Sequence, residues 1–186
     1  MPGNAGFYTQ DVRTAPDNVR FKSKEKFPKK ILVWMAISSK GVSKPYIGSV
    51  GGPAIDGDRY IKECLTRLAK FIKEYHGDDN VIFWPDLASS HYSKKAIDWL
   101  QTNKIDFVPK ETNPPNVPKA RPIEDLWAIL AGKVYEGGWE AKTEQQLKRR
   151  ISQKIKSIDL VVIQSMMKGI NGKLRKIEQK GPFAIL

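Results

Sequence analysis

Hydrophobic residues fall into two patterns along this chain: short β-branched and aromatic runs, and longer stretches with helical spacing. The run ILVWMAIS at 31–38 predicts a buried strand, and SKPYIGSV at 43–50 predicts its antiparallel partner across the Lys40-Gly41 turn. Pro45 favours an edge position for the second strand, because proline cannot donate a ladder hydrogen bond. The first regular structure predicted is therefore a β-hairpin.

Helices and strands alternate after this hairpin. Apolar spacing predicts a helix over 58–75 with Asp58 as its N-cap. VIFWPD at 81–86 predicts a short strand, Ser93 begins a second helix that runs to Thr102, and IDFVP at 105–109 predicts another strand. This order predicts an α/β fold with a mixed sheet flanked by helices.

A proline-rich loop, NPPNVPKARP at 113–122, leads into a helix that starts at Pro122, where proline is tolerated. The predicted buried stripe of this helix contains Ile123, Trp127, Leu130 and Val134. At about 100° per residue, Glu124 lies at the border of that stripe and Asp125 lies nearly opposite it, towards water. Glu124 is therefore the acid expected to reach over the end of the sheet.

The sequence after Gly137-Gly138 is helical in pattern and strongly basic. Its apolar stripes are Leu147, Ile151, Ile155 and Ile158, followed by Ile163, Met166 or Met167, Ile170, Leu174 and Ile177. Residues 142–180 contain 11 Lys or Arg and 3 acids, so this segment holds most of the excess positive charge. We divide the chain into an α/β domain at 1–136 and a basic helical C-terminal extension of the same domain at 137–186.

The charge balance favours a polyanionic partner. The 186 residues include 32 Lys or Arg and 20 Asp or Glu, a net charge of +12. Such an excess is typical of nucleic-acid-binding proteins, although it also serves solubility alone. The predicted nucleic-acid-binding residues are Arg20, Lys22, Lys24, Lys26, Lys29, Lys30, Lys148, Arg149 and Arg150.

Several classes of protein are disfavoured by what the sequence contains. Cys64 is the single cysteine, so an internal disulfide is excluded and a reducing compartment is favoured. With His76 and His91 as the two histidines, a Cys/His zinc site is disfavoured. The apolar run at 31–37 is too short to span a membrane, and the first residues do not form a signal peptide. We therefore expect an intracellular protein without a membrane partner.

Two acids are candidates for chemistry. Asp86 ends a predicted strand and Glu124 lies in the first turn of a predicted helix. Carboxylates brought together in this way hold divalent metal ions that catalyse phosphoryl transfer. The structural alternatives are a turn or cap for Asp86 and helix-dipole compensation for Glu124. His91 has the alternative of capping the next helix or bonding within its loop.

Three segments carry a family resemblance: VWMAISSKGVSKPYI, WPDLASSHYS and NPPNVPKARPIEDLWAILAGKVY. Together they resemble the catalytic domain of mariner-type transposases over residues 3–178. The resemblance implies a ribonuclease H-like fold, with Asp86 and Glu124 as the second and third members of an acidic triad. His91 matches a histidine that often follows the second acid, whereas Leu87 departs from the asparagine that is usual there.

The resemblance also implies an activity: DNA strand cleavage and transfer with Mg²⁺ or Mn²⁺ held by the triad, in a nuclear protein that binds DNA and forms a homodimer. Family members carry the first triad acid at the end of a central strand, and we expect this chain to lack that strand and to be unable to cleave DNA alone. The alternatives are a non-catalytic DNA-binding protein derived from a transposase, and a ribonuclease H-like nuclease acting on RNA in hybrids.

Overall fold

The computed structural model describes residues 10–15, 20, 30–49, 55–115 and 117–185. Short 3-10 helices lie at Val12–Thr14, Pro118–Ala120, Glu136–Gly138 and Pro182–Ile185. Among these residues, no helix is both long enough and apolar enough to cross a membrane.

The predicted hairpin is confirmed, with one interruption. Its four strands are β1 (Ile31–Trp34), β2 (Ile37–Ser38), β3 (Gly41–Val42) and β4 (Tyr46–Ser49). β1 pairs antiparallel with β4, and β2 pairs antiparallel with β3. The turn between β2 and β3 ends at Gly41, whose φ of 132° is readily accessible only to glycine.

The first long helix, α1, occupies 57–75 in three contiguous pieces: Gly57–Tyr60, a π-helical stretch Ile61–Leu65, and Thr66–Tyr75. The prediction that Asp58 caps it is wrong. The cap is Asp56, whose carboxylate accepts a hydrogen bond from the Arg59 amide at 2.8 Å. Asp58 lies inside the first turn and pairs instead with Lys95 at 2.6 Å.

The next pair of strands along the chain is parallel. β5 (Ile82–Phe83) pairs with β6 (Asp106–Phe107), and α2 (Lys94–Thr102) connects them. Ser93 caps α2 as predicted, by accepting from the Ala96 amide. Antiparallel and parallel pairs are thus both present, as a mixed sheet requires, but the described strands form separate two-stranded ladders.

Four helices complete the described chain: α3 (Pro122–Val134), α4 (Glu144–Lys156), α5 (Leu160–Lys168) and α6 (Ile170–Lys180). Thr143 caps α4 and Asp159 caps α5 with side-chain oxygens. Gly169 separates α5 from α6, so the second predicted apolar stripe of the tail belongs to two helices.

Apolar side chains pack in two clusters on opposite faces of β1. Leu32 and Trp34 pack against the cluster formed mainly by α1 and α2, whereas Val33 and Met35 join the cluster formed by α3 and α4. Alternate residues of a strand point to opposite faces, so β1 lies between two helical layers.

The buried face of α3 differs from the predicted stripe by one position. Leu126 is fully buried, and Leu130 and Val134 are buried beside it. Ile123 and Trp127 are only partly buried at the edge of the same cluster. The buried stripe runs at four-residue spacing through Pro122, Leu126, Leu130 and Val134. It is rotated relative to the predicted stripe, so the two first-turn acids are placed differently from the prediction.

Candidate active site

A groove of about 410 Å³ is lined by residues of β1, β2 and β5. We call it the central groove: residues 32–38 form one wall, 81–86 form the other, and α1 and α3 contribute side chains. Asp86, His91 and Glu124 all line it. The fold thus brings together at one cavity the three residues that the sequence indicates for chemistry.

Asp86 lies just beyond β5 and is held by its own loop. Its Oδ1 accepts a hydrogen bond from the Ala88 amide at 2.8 Å and lies 2.7 Å from His91 Nδ1. These two contacts of the carboxylate fall on Oδ1, which leaves Oδ2 without a partner among the described residues. The hydrogen bond with His91, followed by the Ala88 amide, lowers the pKa of Asp86 below its ordinary value of 3.8 despite partial burial.

His91 is fixed by packing as well as by this bond. Its side chain is only 11% exposed, and its ring lies 4.5 Å from the ring of Tyr60 in α1, centroid to centroid. Tyr60 is itself almost fully buried. His91 therefore positions Asp86 from a rigid support in the core.

A buried polar network joins the loop of Asp86 to the loop before α3. Asn113 Oδ1 accepts from Trp84 Nε1 at 2.8 Å and from Arg121 Nη2 at 2.9 Å. Asn113 Nδ2 donates to the Pro85 carbonyl at 2.8 Å and to Tyr92 Oη at 2.7 Å. These bonds connect the residues that flank Asp86 to Arg121. Arg121 is the N-cap residue of α3, the helix that carries Glu124 in its first turn.

The two neighbouring acids of α3 have different surroundings. Glu124 is exposed, lines the central groove, and has no side-chain partner among the described residues. The prediction that Asp125 points to water is wrong. Its carboxylate accepts a hydrogen bond from Lys173 of α6 at 3.0 Å. Rotation of the α3 stripe towards Leu126 explains this, because it turns Asp125 towards the tail helices.

The chemistry of the pair suits a divalent metal ion. Mg²⁺ and Mn²⁺ prefer carboxylate oxygens, and both side chains present an unpartnered oxygen at one groove. In the described part of the chain, however, no three His, Cys, Asp or Glu side chains lie close enough together to hold a metal ion.

The predicted nucleic-acid-binding residues lie in varied environments. Lys22, Lys24, Lys26 and Lys29 lie outside the described residues. Arg20, Lys30 and Arg149 are exposed, and the Arg20 guanidinium donates to the Arg13 carbonyl at 3.3 Å.

Lys148 and Arg150 make internal contacts in addition to any role at the surface. Lys148 pairs with Glu144 at 2.6 Å and donates to Ser49 of β4 at 2.9 Å. Arg150 donates to the Val134 carbonyl at 2.6 Å, with its guanidinium carbon 4.4 Å from the Trp139 ring centroid. Both side chains therefore hold α4 against the rest of the fold, and their contact with nucleic acid stays a prediction.

The hydrogen bond between His91 and Asp86 leads to a testable prediction about the pKa of Asp86. Replacing His91 with alanine removes the largest influence that lowers the pKa of Asp86, so that pKa should rise. In the native protein the ionised carboxylate stabilises the fold above the unfolded-state pKa near 3.8, and this contribution is lost as pH falls through the lowered folded value. A carbon-detected NMR titration of the Asp86 carboxyl group measures the change.

His76→Ala is the matched control, because His76 bonds Asp79 rather than Asp86. It should leave the Asp86 titration where it was. An unchanged Asp86 pKa in His91→Ala would show that the contact is not made in solution.

Sequence comparison relates this arrangement to known proteins. The chain is 27% identical over 176 residues to the transposable element Tc3 transposase of Caenorhabditis elegans, a match that covers 95% of this chain. The resemblance to transposases that the sequence motifs predict is thus confirmed. It spans about half the length of this curated relative, 51%. No protein-family model matches the sequence.

Solved structures of mariner transposases share the fold. The Mos1 transposase in a paired-end complex with the left transposon end superposes with a TM-score of 0.77 at 16% identity, over 97% of this chain and 51% of that one. A Mos1 catalytic domain with raltegravir and Mn gives a TM-score of 0.69 at 16% identity, over 83% and 80% of the two chains. The ribonuclease H-like fold that the sequence predicts is therefore confirmed.

Asn113 and Arg121 are the site-forming residues that the sequence did not identify. Both belong to the proline-rich loop, which the sequence presents only as a connection. Because a loop normally exposes its polar side chains, neither residue was expected to be buried. The sequence does contain one signal: an asparagine followed by two prolines cannot be part of a continuing helix. That pattern indicates a fixed turn but not the partners of its side chain.

Proposed function

We propose that this chain is the part of a transposase catalytic domain that contributes Asp86 and Glu124 to a divalent-metal site for DNA strand cleavage and transfer. One observation carries the proposal: two carboxylates, far apart in sequence, line one groove in a fold shared with the Mos1 catalytic domain. A bound Mg²⁺ or Mn²⁺ would supply activation of the attacking hydroxyl and stabilisation of the leaving oxygen. His91 acts as a positioning residue for Asp86.

Mn²⁺ binding tests the assignment of these two acids. Asp86→Asn and Glu124→Gln each remove one anionic ligand with little change in shape, so each should weaken Mn²⁺ affinity at least roughly 10-fold, about 1.4 kcal/mol. Electron paramagnetic resonance of free Mn²⁺ in a titration measures the affinity. Asp125→Asn is the matched control on the same helix and should bind Mn²⁺ as the native chain does. Equal affinities in all four proteins would refute the site.

We further propose that two carboxylates alone do not position two metal ions, so that the isolated chain binds DNA without cleaving it efficiently. Nicking of supercoiled duplex DNA in Mn²⁺ measures this directly. Robust nicking that is lost in Asp86→Asn or Glu124→Gln would contradict the proposal and show a complete site.

The second candidate function is non-catalytic DNA binding, which is favoured by the lack of a three-ligand cluster among the described residues. With about four phosphate contacts, affinity for duplex DNA should fall roughly 100-fold between 50 and 200 mM salt. Fluorescence anisotropy measures this slope. If Asp86→Asn and Glu124→Gln have the same affinities for Mn²⁺ and for DNA as the native chain, non-catalytic DNA binding is the better supported function.

The remaining assignments follow from the same proposal. Residues 137–186 act as an extension of the 1–136 domain, supported by the packing of Ile151 and Ile155 against Leu126 and Leu130 in one cluster. A transposase acts on chromosomal DNA, so we propose that the protein is nuclear. We also expect a homodimer, which light scattering would detect.

A further inference from the structure

Arg121 is a buried cation whose partners among the described residues are all uncharged. The residue is only 8% exposed, and its guanidinium carbon lies 5.5 Å from the ring centroid of Trp84. Nη2 donates to Asn113 Oδ1 at 2.9 Å and to the Pro114 carbonyl at 3.2 Å. Moving a cation out of water is costly when no anion compensates its charge. Packing alone therefore does not explain why an arginine lies here.

The guanidinium also has donors to spare. An arginine side chain carries five N–H donors, and the two bonds to Asn113 and Pro114 both start from Nη2. Nε is buried and has no acceptor in the described part of the chain. No hydrogen bond joins Nη1 to a residue that the structure describes. A tether to the loop before α3 would need only Nη2, so the remaining donors point to a ligand with strong acceptor oxygens.

The position of Arg121 indicates which ligand this is. Arg121 lines the central groove together with Asp86 and Glu124. Its carbonyl accepts from the Glu124 amide at 3.1 Å, and its partner Asn113 also donates to the Pro85 carbonyl, next to Asp86. One groove thus presents two carboxylates that suit a cation and one guanidinium that suits an anion. A phosphodiester with a bound metal ion offers both charges.

We propose that Arg121 is a substrate-binding residue whose guanidinium holds a non-bridging oxygen of a DNA phosphodiester in the central groove. The identity of this ligand rests on the proposed function, although the contact itself requires no metal ion. The net charge of +12 favours a polyanion as the source of the oxygen. The bonds from Nη2 to Asn113 and Pro114 hold the guanidinium in place before the ligand arrives, which lowers the entropic cost of binding.

A pair of dinucleotides tests the proposal on the full chain in EDTA, so that no metal ion contributes. The first is thymidylyl-thymidine, which has one anionic phosphodiester, and the second is its neutral methylphosphonate analogue. The Nε–H group of Arg121 is buried, so its proton should exchange slowly with water and give an NMR resonance that Arg121→Lys identifies by its loss. The phosphodiester should shift this resonance saturably, and the analogue should bind at least roughly 10-fold more weakly.

Variants of the chain separate this contact from general attraction to a basic protein. Arg121→Met should weaken binding of the phosphodiester at least roughly 10-fold, measured by its phosphorus NMR shift. Arg121→Lys keeps the charge and should bind better than Arg121→Met. Arg175→Met is the matched control, since Arg175 is exposed on α6 and does not line the groove. It removes the same charge and should retain the native affinity.

Four results would overturn the proposal: an Arg121 resonance that the phosphodiester does not shift, equal binding of the two dinucleotides, native affinity in Arg121→Met, or tighter binding of inorganic phosphate than of the dinucleotide. The last result would identify free phosphate as the ligand. Circular dichroism shows whether each variant is folded, and the dinucleotide pair decides with the native chain alone.

The Mn²⁺ titration is a separate test. Loss of Mn²⁺ binding with intact dinucleotide binding would refute the metal site and keep the role of Arg121. The reverse outcome would refute only the role of Arg121.

Discussion

Replacing Asn113 with alanine is expected to destabilise the protein by about 3 kcal/mol or more, because it leaves several buried polar groups without partners. Asn113 is 3% exposed and bonds Trp84, Pro85, Tyr92 and Arg121. Each buried donor or acceptor left unsatisfied costs about 1–3 kcal/mol, and the guanidinium costs more because it is charged. Urea unfolding followed by circular dichroism measures the loss.

The matched control is Asn103→Ala. Asn103 is exposed at the end of α2, where its side chain donates to the Trp99 carbonyl at 2.8 Å. Water can replace that bond, so the free energy of unfolding should change by less than about 1 kcal/mol. A similar small loss in both variants would show that the Asn113 network does not hold the two loops together.

This network also predicts a link between stability and the site. The same bonds fix the loop of Asp86 relative to the start of α3, so Asn113→Ala should weaken Mn²⁺ binding even under conditions where the protein remains folded. The Asp86 carboxyl titration would report the displacement independently, because His91 must stay within hydrogen-bond distance to keep the Asp86 pKa low.

Replacing Leu126 with alanine is the second large effect we expect, a loss of about 2–5 kcal/mol. Leu126 is fully buried at the centre of the cluster that joins β1, α3 and α4. Truncation removes apolar contacts and leaves a cavity that neighbouring side chains fill only in part. Since domains are stabilised by about 5–15 kcal/mol in total, a large share of the native population is expected to be lost on mild heating.

Leu160→Ala provides the comparison for this prediction. Leu160 begins α5 and is 43% exposed, so its removal should cost less than about 1 kcal/mol. Thermal melts of the two variants in parallel separate the cost of a core cavity from a general effect of shortening leucine. If Leu126→Ala has the same melting temperature as Leu160→Ala and the native chain, α3 does not pack as the structure describes.

The local elements were predictable from sequence because their signals are short-range. Strand composition at 31–38, the Ser93 cap and Pro122 at a helix start each act through neighbouring backbone, so they indicate structure without knowledge of the fold. The errors arose where several local solutions were equivalent. Asp56 and Asp58 are both acceptable caps; in the structure Asp56 accepts the hydrogen bond from the Arg59 amide, and Asp58 pairs with Lys95 of α2.

The face of α3 shows the same limit at larger scale. Both Ile123 with Trp127 and Pro122 with Leu126 lie at helical spacing from Leu130 and Val134, so periodicity alone allows either pair to be buried. The packing of α4 and β1 against Leu126 decides between them. This choice fixes where Glu124 and Asp125 point, and it depends on elements distant in sequence.

The sequence by itself determined that Asp86 follows a strand and that Glu124 opens a helix, because strand composition and helix-start signals are local. Only the tertiary structure decided that both side chains line the central groove and that His91 and the Asn113 network hold them there. Those features depend on the distance between segments far apart along the chain. Packing and hydrogen bonding of the whole fold set such distances, and no local pattern encodes them.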